Sequence, residues 1–216
     1  MDNISGVIFD VDGTLLDSMH IWERVEIDYL ESQGITPRPG MNELLRSYSE
    51  MEVAIYFRAE YGVKESVEEI IASRHRLISD FYFNRATLKS GVIPVLDALR
   101  ARGIRMCVAT ATDKSLIVPA LRHCGVHDFF GKVFTCGEER TSKSSPDIFI
   151  RAADFLGTDV CNTLVVEDAL YAIVTAKRAG FPVAAVYDLS ADDQQDEIKE
   201  LCDYYWLYLD EMLKVL

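Results

Sequence analysis

The sequence has few basic residues, no long hydrophobic run and no closely spaced cysteines. Its 22 Lys and Arg are outnumbered by 35 Asp and Glu, so the net charge at pH 7 is −13. This charge argues against a general nucleic-acid-binding role, because phosphate backbones attract positively charged proteins. The five cysteines form no CxxC pair, and no His/Cys cluster has the spacing of zinc ligands. We therefore expect free thiols in a reducing compartment and no zinc site.

A signal-peptide pattern is also missing, which favours a cytoplasmic protein with no membrane partner. The chain has 216 residues, of which 49% are hydrophobic. This is enough for one large domain, or for a core domain with an inserted subdomain. We expect a monomer or a weak homodimer.

From about residue 90 onwards, short β-branched runs alternate with amphipathic segments that end at glycines. Such alternation predicts βαβ units and a parallel sheet covered on both faces. The fold class is therefore α/β, with a Rossmann-like parallel sheet core flanked by helices. The predicted strands are 4–9, 104–110, 132–136, 163–167 and 182–187. The predicted helices of this part are 92–102, 114–124, 147–156 and 169–179.

Residues 17–86 show no strand pattern, and their apolar residues recur at helical spacing. We expect an inserted all-α cap domain at 17–86, with long helices at 41–58 and 65–83. The α/β core domain would then consist of residues 1–16 and 87–216.

Asp10 and Asp12 end the first apolar run and precede a Gly-Thr turn. Residues two apart on a strand point to the same side, so the two carboxylates should lie side by side. Carboxylates this close repel unless a cation or a shared proton joins them, and Mg²⁺ prefers such oxygen ligands. The alternative is an Asx-type turn that only closes the strand.

Open α/β sheets bind ligands beyond the carboxyl ends of their strands, and polar residues follow the other predicted strands as well. Thr110 ends the second core strand, where its hydroxyl and the backbone N–H of Ala111 could bind a phosphate. The alternative is helix capping by Thr112 or Asp113. Lys143 lies at a loop–helix junction, where its ammonium could reach an anion or could simply be solvated.

Glu167 and Asp168 directly follow another hydrophobic strand. Together with Asp10 they would complete an oxygen-rich metal site. The alternative is again an N-cap, with Asp168 capping the helix that starts near Ala169.

Four motifs now stand in order: FDVDGT at the start, VATAT near residue 110, SKSSPDIF near 145 and VVEDA near 167. Their order and spacing resemble those of the haloacid dehalogenase superfamily of hydrolases, most closely its β-phosphoglucomutase-like phosphatases. The resemblance covers essentially the whole chain. It implies a phosphoric monoester hydrolase that uses Mg²⁺.

The resemblance also implies roles for individual residues. Asp10 would be the nucleophile that forms an aspartyl-phosphate, and Asp12 would be the general acid and base. Thr110, Ala111 and Lys143 would hold the phosphoryl group.

The metal ligands implied by the resemblance are Asp10, Asp12 through its backbone carbonyl, Asp168 and, with it, Glu167. Asp12 also argues against dehalogenation, because dehalogenases of this fold lack a carboxylate there and work without Mg²⁺.

The sequence departs from the mutases of this subgroup. They carry a cap histidine where this chain has Trp22, and an arginine where it has Glu50. The leading hypothesis is therefore a phosphatase for a small phosphorylated metabolite, with sugar phosphates as the first candidates. The alternatives are a phosphosugar mutase and a non-catalytic binding protein. Possible cap contacts with the substrate are Trp22, Arg46, Tyr48, Arg58, Arg74, His75 and Arg76.

Overall fold

The computed structural model describes residues 1, 3–45, 48 and 50–216, without the side chains of Glu23 and Glu43. Arg46, one of the candidate cap contacts, lies outside the described residues. These residues form two compact units, Met19–Arg85 and the remainder, Met1–Ser18 with Ala86–Leu216. No helix among them is long and apolar enough to cross a membrane.

The larger unit is built on six parallel strands in the order β3-β2-β1-β4-β5-β6. The strands are β1 (Gly6–Phe9), β2 (Arg105–Thr110), β3 (Val133–Thr135), β4 (Thr163–Glu167), β5 (Val183–Val186) and β6 (Tyr204–Trp206). The α/β prediction is thus confirmed. The chain runs from β1 outwards in one direction and then from β4 in the other. The carboxyl end of β1 is therefore the topological switch point, where such sheets bind their ligands.

Helices connect these strands and cover the sheet. They are α5 (Val92–Ala101), α6 (Lys114–His123), α7 (Cys136–Glu139), α8 (Asp147–Leu156), α9 (Leu170–Arg178) and α10 (Gln195–Leu201). One core cluster joins Ile8, Cys107 and Val165 of the strands to the buried faces of α8, α9 and α10. The right-handed crossover rule places α5 and α6 on the opposite face. Because both faces are covered, β1 is buried along its whole length.

The smaller unit contains only helices among its described residues. They are α1 (Met19–Ser32), α2 (Met41–Leu45), α3 (Glu50–Glu60) and α4 (Val67–Asp80), which continues into a π-helical turn at Phe81–Arg85. Its core contains the stacked rings of Tyr29 and Phe57 together with Ile70 of α4. Ser66 and Glu69 form a capping box that fixes the start of α4. The single helix predicted at 41–58 is wrong, because Tyr48, within that range, is not helical, and α3 begins at Glu50.

Candidate active site

The carboxyl end of β1 places Asp10 in the centre of the sheet. The backbone N–H of Asp10 donates to the carbonyl of Val166, the β4 neighbour, over 3.0 Å. This bond extends the parallel pairing of β1 with β4 by one residue. Asp10 is buried there, with 6% of its surface exposed. Gly13 follows in the left-handed region, with φ of 81°, which a residue with a side chain rarely adopts. The chain can therefore turn sharply just beyond the two aspartates.

Asp10, Glu167 and Asp168 form a buried cluster of carboxylates at the ends of β1 and β4. One oxygen from each lies within 4.8 Å of the others, a geometry that could hold a metal ion. Thr14 donates a long hydrogen bond of 3.4 Å to Asp168. Asp168 does not cap α9, because the N-cap residue is Ala169. The capping alternative for Asp168 is therefore wrong, and its buried carboxylate needs another explanation.

Lys143 is the cation nearest this cluster among the contacts described. It is 3% exposed, and its ammonium donates to Asp10 and, over 2.6 Å, to Glu167. The other oxygen of Glu167 accepts from the backbone N–H groups of Asp168 and Ala169 at 3.2 and 3.3 Å. Three carboxylates against one ammonium leave two negative charges when all are ionised, the balance that a divalent cation would restore.

The crowding of buried acids perturbs their protonation. Burial raises the pKa of Asp10 to about 7, with Glu167 and Asp12 adding to the effect and Lys143 opposing it. Burial also holds the pKa of Asp168 well above its usual range, reinforced by the charges of Asp10 and Glu167. Strongly perturbed pKa values in a cluster at a ligand-binding edge are typical of functional sites.

The carboxylate of Asp12 accepts hydrogen bonds from two hydroxyl groups. Ser18 donates to one carboxylate oxygen over 2.6 Å, and Thr112 donates to the other over 2.7 Å. Thr112 also donates its backbone N–H to the hydroxyl oxygen of Thr110, which fixes that hydroxyl at the end of β2. Asp113 occupies the N-cap position of α6, but its side chain makes no capping bond. Ala111, in the same turn, is exposed.

Lys89 and Asp188 also belong to this region of the structure and were not predicted from the sequence. The ammonium of Lys89 donates to the carbonyl of Gly13 over 2.6 Å, to that of Tyr187 over 2.7 Å and to the carboxylate of Asp188 over 2.8 Å. Burial alone would raise the pKa of Asp188, but hydrogen bonds from Lys89 and Ser190 hold it below its usual range. Lys89 thus ties the turn after Asp12 to the segment that follows β5. An isolated lysine before an apolar helix gives no sequence signal of this role.

Replacing Lys89 by Met should lower the free energy of unfolding by about 2–3 kcal/mol, because Asp188 and two carbonyls lose their common donor. Urea unfolding would measure the shift in midpoint at constant slope. Lys114→Met is the matched control: its partner Glu138 and Lys114 itself are about half exposed, so the loss should stay below about 1 kcal/mol. Equal losses in the two variants would show that Lys89 does not organise this turn.

Comparison with known proteins identifies the family of this chain. The family model of haloacid dehalogenase-like hydrolases matches residues 4–180. Hexitol phosphatase B of Escherichia coli K12 is 25% identical over 182 residues, covering 82% of this chain and 80% of the relative. (DL)-glycerol-3-phosphatase 2 of Arabidopsis thaliana is 27% identical over 208 residues, covering 91% and 86%.

The solved structures are similar over nearly the whole length. A Thermotoga maritima protein provisionally assigned as a beta-phosphoglucomutase superposes with a TM-score of 0.85 over 98% of each chain, at 20% identity. At that identity the likeness supports the fold alone. The prediction of a phosphoric monoester hydrolase is confirmed by the matching family model and by the phosphatases among the relatives. The chain belongs to the haloacid dehalogenase-like hydrolases.

Proposed function

We propose that the protein is a Mg²⁺-dependent phosphatase that hydrolyses a small phosphorylated metabolite, of the sugar phosphate class, through an aspartyl-phosphate on Asp10. The observation that carries this proposal is the buried cluster of three carboxylates beside one lysine at the end of β1. The names of two relatives, a hexitol phosphatase and a glycerol-3-phosphatase, support a small polyhydroxylated phosphate ester. A mutase is not favoured, since Trp22 and Glu50 replace the residues it would use.

The donor set fits the proposed ion. Carboxylate oxygens from Asp10, Asp168 and Glu167 are the hard ligands that Mg²⁺ prefers, and the carbonyl of Asp12 would add a further one. The excess of negative charge over Lys143 makes a divalent cation the matching counter-charge. A bound Mg²⁺ would neutralise the oxygens of a phosphoryl group beside these carboxylates.

The reaction would use the residues of the chain in two steps. A carboxylate oxygen of Asp10 attacks the phosphorus, and the bond from phosphorus to the leaving oxygen breaks as Asp12 donates a proton to it. Water then attacks the phosphorus and gives its proton to Asp12, and the bond from phosphorus to Asp10 breaks. Thr110, Ala111 and Lys143 would hold the phosphoryl oxygens throughout, which is most of what phosphoryl transfer requires.

Phosphate release from a panel of phosphorylated metabolites tests this proposal. We expect release that depends on Mg²⁺, is lost when a chelator is added and returns when Mg²⁺ is restored. Phosphate release that is unchanged by thorough chelation would contradict the proposed requirement for Mg²⁺. If the protein bound Mg²⁺ but released phosphate from no compound, the proposed phosphatase activity would be contradicted.

The ion should also stabilise the fold, and more so at high pH. Without it, the raised pKa of Asp10 favours the folded state only while this carboxyl is protonated, and that contribution is lost as pH rises from about 4 to about 7. At about pH 5 the ion must displace these protons, whereas at about pH 8 it meets ionised carboxylates.

We therefore expect Mg²⁺ to raise the melting temperature more at about pH 8 than at about pH 5. Saturation to about 100 times the dissociation constant corresponds to about 2.7 kcal/mol of added stability. Asp168→Asn should remove most of this gain, while Asp17→Asn, an exposed change nearby, should keep it. A gain that was equal at both pH values would count against binding at this cluster.

The role of the helical unit, the location of the protein and its oligomeric state remain predictions. The helical unit is proposed to select the substrate as a cap domain of residues 17–86. The cytoplasmic location and the monomeric or weakly dimeric state are expectations from the sequence.

A further inference from the structure

Lys89 links the turn at the end of β1 to the segment that follows β5. An ammonium group has three N–H donors, and in Lys89 each of them has an acceptor. Two donate to the carbonyls of Gly13 and Tyr187, over 2.6 and 2.7 Å, and the third donates to the carboxylate of Asp188 over 2.8 Å. The side chain of Lys89 is only 17% exposed and that of Asp188 only 10%. This lysine is therefore a mostly buried junction and not a solvated surface charge.

The two strand ends that Lys89 joins flank β4. In the sheet, β4 lies between β1 and β5, and it ends with Glu167 and leads directly into Asp168 of the proposed metal site. A hydrogen bond from Thr14 also joins the turn to Asp168, but it is long, at 3.4 Å. The short bond from Lys89 to Gly13 therefore contributes strongly to the position of this turn beside the carboxylates.

The backbone of Lys89 is itself fixed alongside the turn. Its N–H donates to the carbonyl of Leu15 over 2.9 Å, and the N–H of Asp17 donates to the carbonyl of Thr87 over 2.9 Å. These bonds pair the segment at 87–89 with the segment at 15–17 within the larger unit. The side chain of Lys89 thus starts from a defined place when it reaches Gly13.

The bond to Gly13 bears on a proposed metal ligand. The carbonyl of Asp12 and the N–H of Gly13 belong to one planar peptide group. That N–H donates to the carbonyl of Leu16 over 3.0 Å, and the carbonyl of Gly13 accepts from Lys89. Glycine has more backbone freedom than any other residue, so the orientation of this peptide group depends on both bonds.

We propose that Lys89 is a positioning residue that keeps the carbonyl of Asp12 in one orientation and thereby sets the affinity of the site for Mg²⁺. The inference rests on the metal of the proposed function, and it adds a role for a lysine whose own donors are all used elsewhere. Residues that orient metal ligands from outside the coordination sphere typically change metal affinity by about 10–100-fold when they are replaced.

A purely electrostatic role of Lys89 would have the opposite effect. Burial is the main cause of the raised pKa of Asp168, and the charge of Asp188 adds to it, so Asp188 acts on this site. Removing Lys89 leaves the charge of Asp188 uncompensated, and added negative charge attracts a divalent cation more strongly. Charge alone therefore predicts tighter binding of Mg²⁺ in Lys89→Met, whereas loss of the held peptide group predicts weaker binding.

Calorimetric titration of the full chain with Mg²⁺, without substrate, tests the proposal. We expect about tenfold weaker binding in Lys89→Met. Binding should stay weak when Asp188→Asn is added, because this second change removes the uncompensated charge but leaves Gly13 without its donor. Asparagine keeps the oxygen that accepts from Ser190.

Lys177→Met is the matched control for this titration. It breaks another lysine–aspartate pair of the larger unit, with Asp203 just ahead of β6, so the affinity for Mg²⁺ should be unchanged.

Unchanged or tighter binding in Lys89→Met would overturn the inference. Wild-type affinity in the double variant would overturn it as well, because Lys89 would then only balance Asp188. The double variant has lost both charges of the pair, so it decides the question even if Lys89→Met alone does not fold. A wild-type protein that bound no Mg²⁺ would also overturn the inference, whether or not it released phosphate.

Kinetics separate this inference from the proposed phosphatase. In Lys89→Met, kcat should fall at low Mg²⁺ and recover at saturating Mg²⁺, with KM for the phosphate ester unchanged, because Lys89 is not proposed to bind the substrate. Binding of Mg²⁺ without phosphate release from any compound would contradict the proposed phosphatase alone. Mg²⁺-dependent release with equal affinity for the ion in the wild type and Lys89→Met would contradict this inference alone.

Discussion

Asp10→Asn should lower kcat for phosphate release by about four orders of magnitude or more and leave the protein folded. An amide cannot attack phosphorus, and the other residues at the site cannot replace the lost nucleophile. Stability should not fall at about pH 8, because the change removes one of three buried carboxylates that share a single ammonium. Steady-state kinetics on the best substrate, with circular dichroism to confirm folding, would measure both effects.

Asp17→Asn is the matched control for this change, since Asp17 is exposed and lies in the same turn region. It should keep kcat within about twofold of the wild type, as surface changes usually do. Residual activity in Asp10→Asn within tenfold of the wild type would mean that Asp10 is not the nucleophile. Direct attack of water on the phosphorus would then be the favoured mechanism.

Lys143→Met should lower the free energy of unfolding by about 3–5 kcal/mol when measured in a chelator at about pH 8. Its ammonium donates to Asp10 and Glu167, so its removal leaves several buried carboxylates without a counter-charge. Activity should fall as well, by about 10²–10³-fold, because Lys143 is proposed to hold the transferring phosphoryl group. Urea unfolding and phosphate release measure the two losses separately.

Two further variants test whether uncompensated buried charge causes this loss of stability. Adding Asp10→Asn to Lys143→Met should recover part of the lost stability, because it removes one of the uncompensated charges. Lys177→Met, which breaks a partly exposed pair with Asp203, should cost less than about 1 kcal/mol. A loss below about 1 kcal/mol in Lys143→Met would show that Lys143 does not balance the cluster.

Much of the α/β core could be predicted from the sequence, because its strands are buried on both faces. The run at 163–167 has three consecutive apolar residues at its centre, and the structure places β4 at those residues, buried along its whole length. By contrast, β6 was missed, since three aromatic residues after an acidic segment give too short a signal, and two of them are only half-buried. The break between α2 and α3 was missed because apolar residues continue at helical spacing on both sides of it.

The residues at the strand ends could be proposed individually because each follows a hydrophobic run. The contacts that hold these residues in place could not be predicted from the sequence. Lys89 and Asp188 are 99 positions apart, and Thr112 is 100 positions from Asp12. Their meeting depends on how α5 and the β5 segment pack, which no local pattern records. The same holds for Glu26 and Arg74, which are 48 positions apart on different helices.

Trapping of the covalent intermediate tests the central claim, nucleophilic attack by Asp10, most directly. The enzyme would be mixed with its best substrate and Mg²⁺, quenched in acid and reduced with borohydride, which converts an aspartyl-phosphate to homoserine. Mass spectrometry of the peptide that contains residue 10 should show homoserine in the wild type mixed with substrate, and neither in the wild type without substrate nor in Asp10→Asn. A phosphoryl group on another residue, or none at all during efficient turnover, would contradict the account.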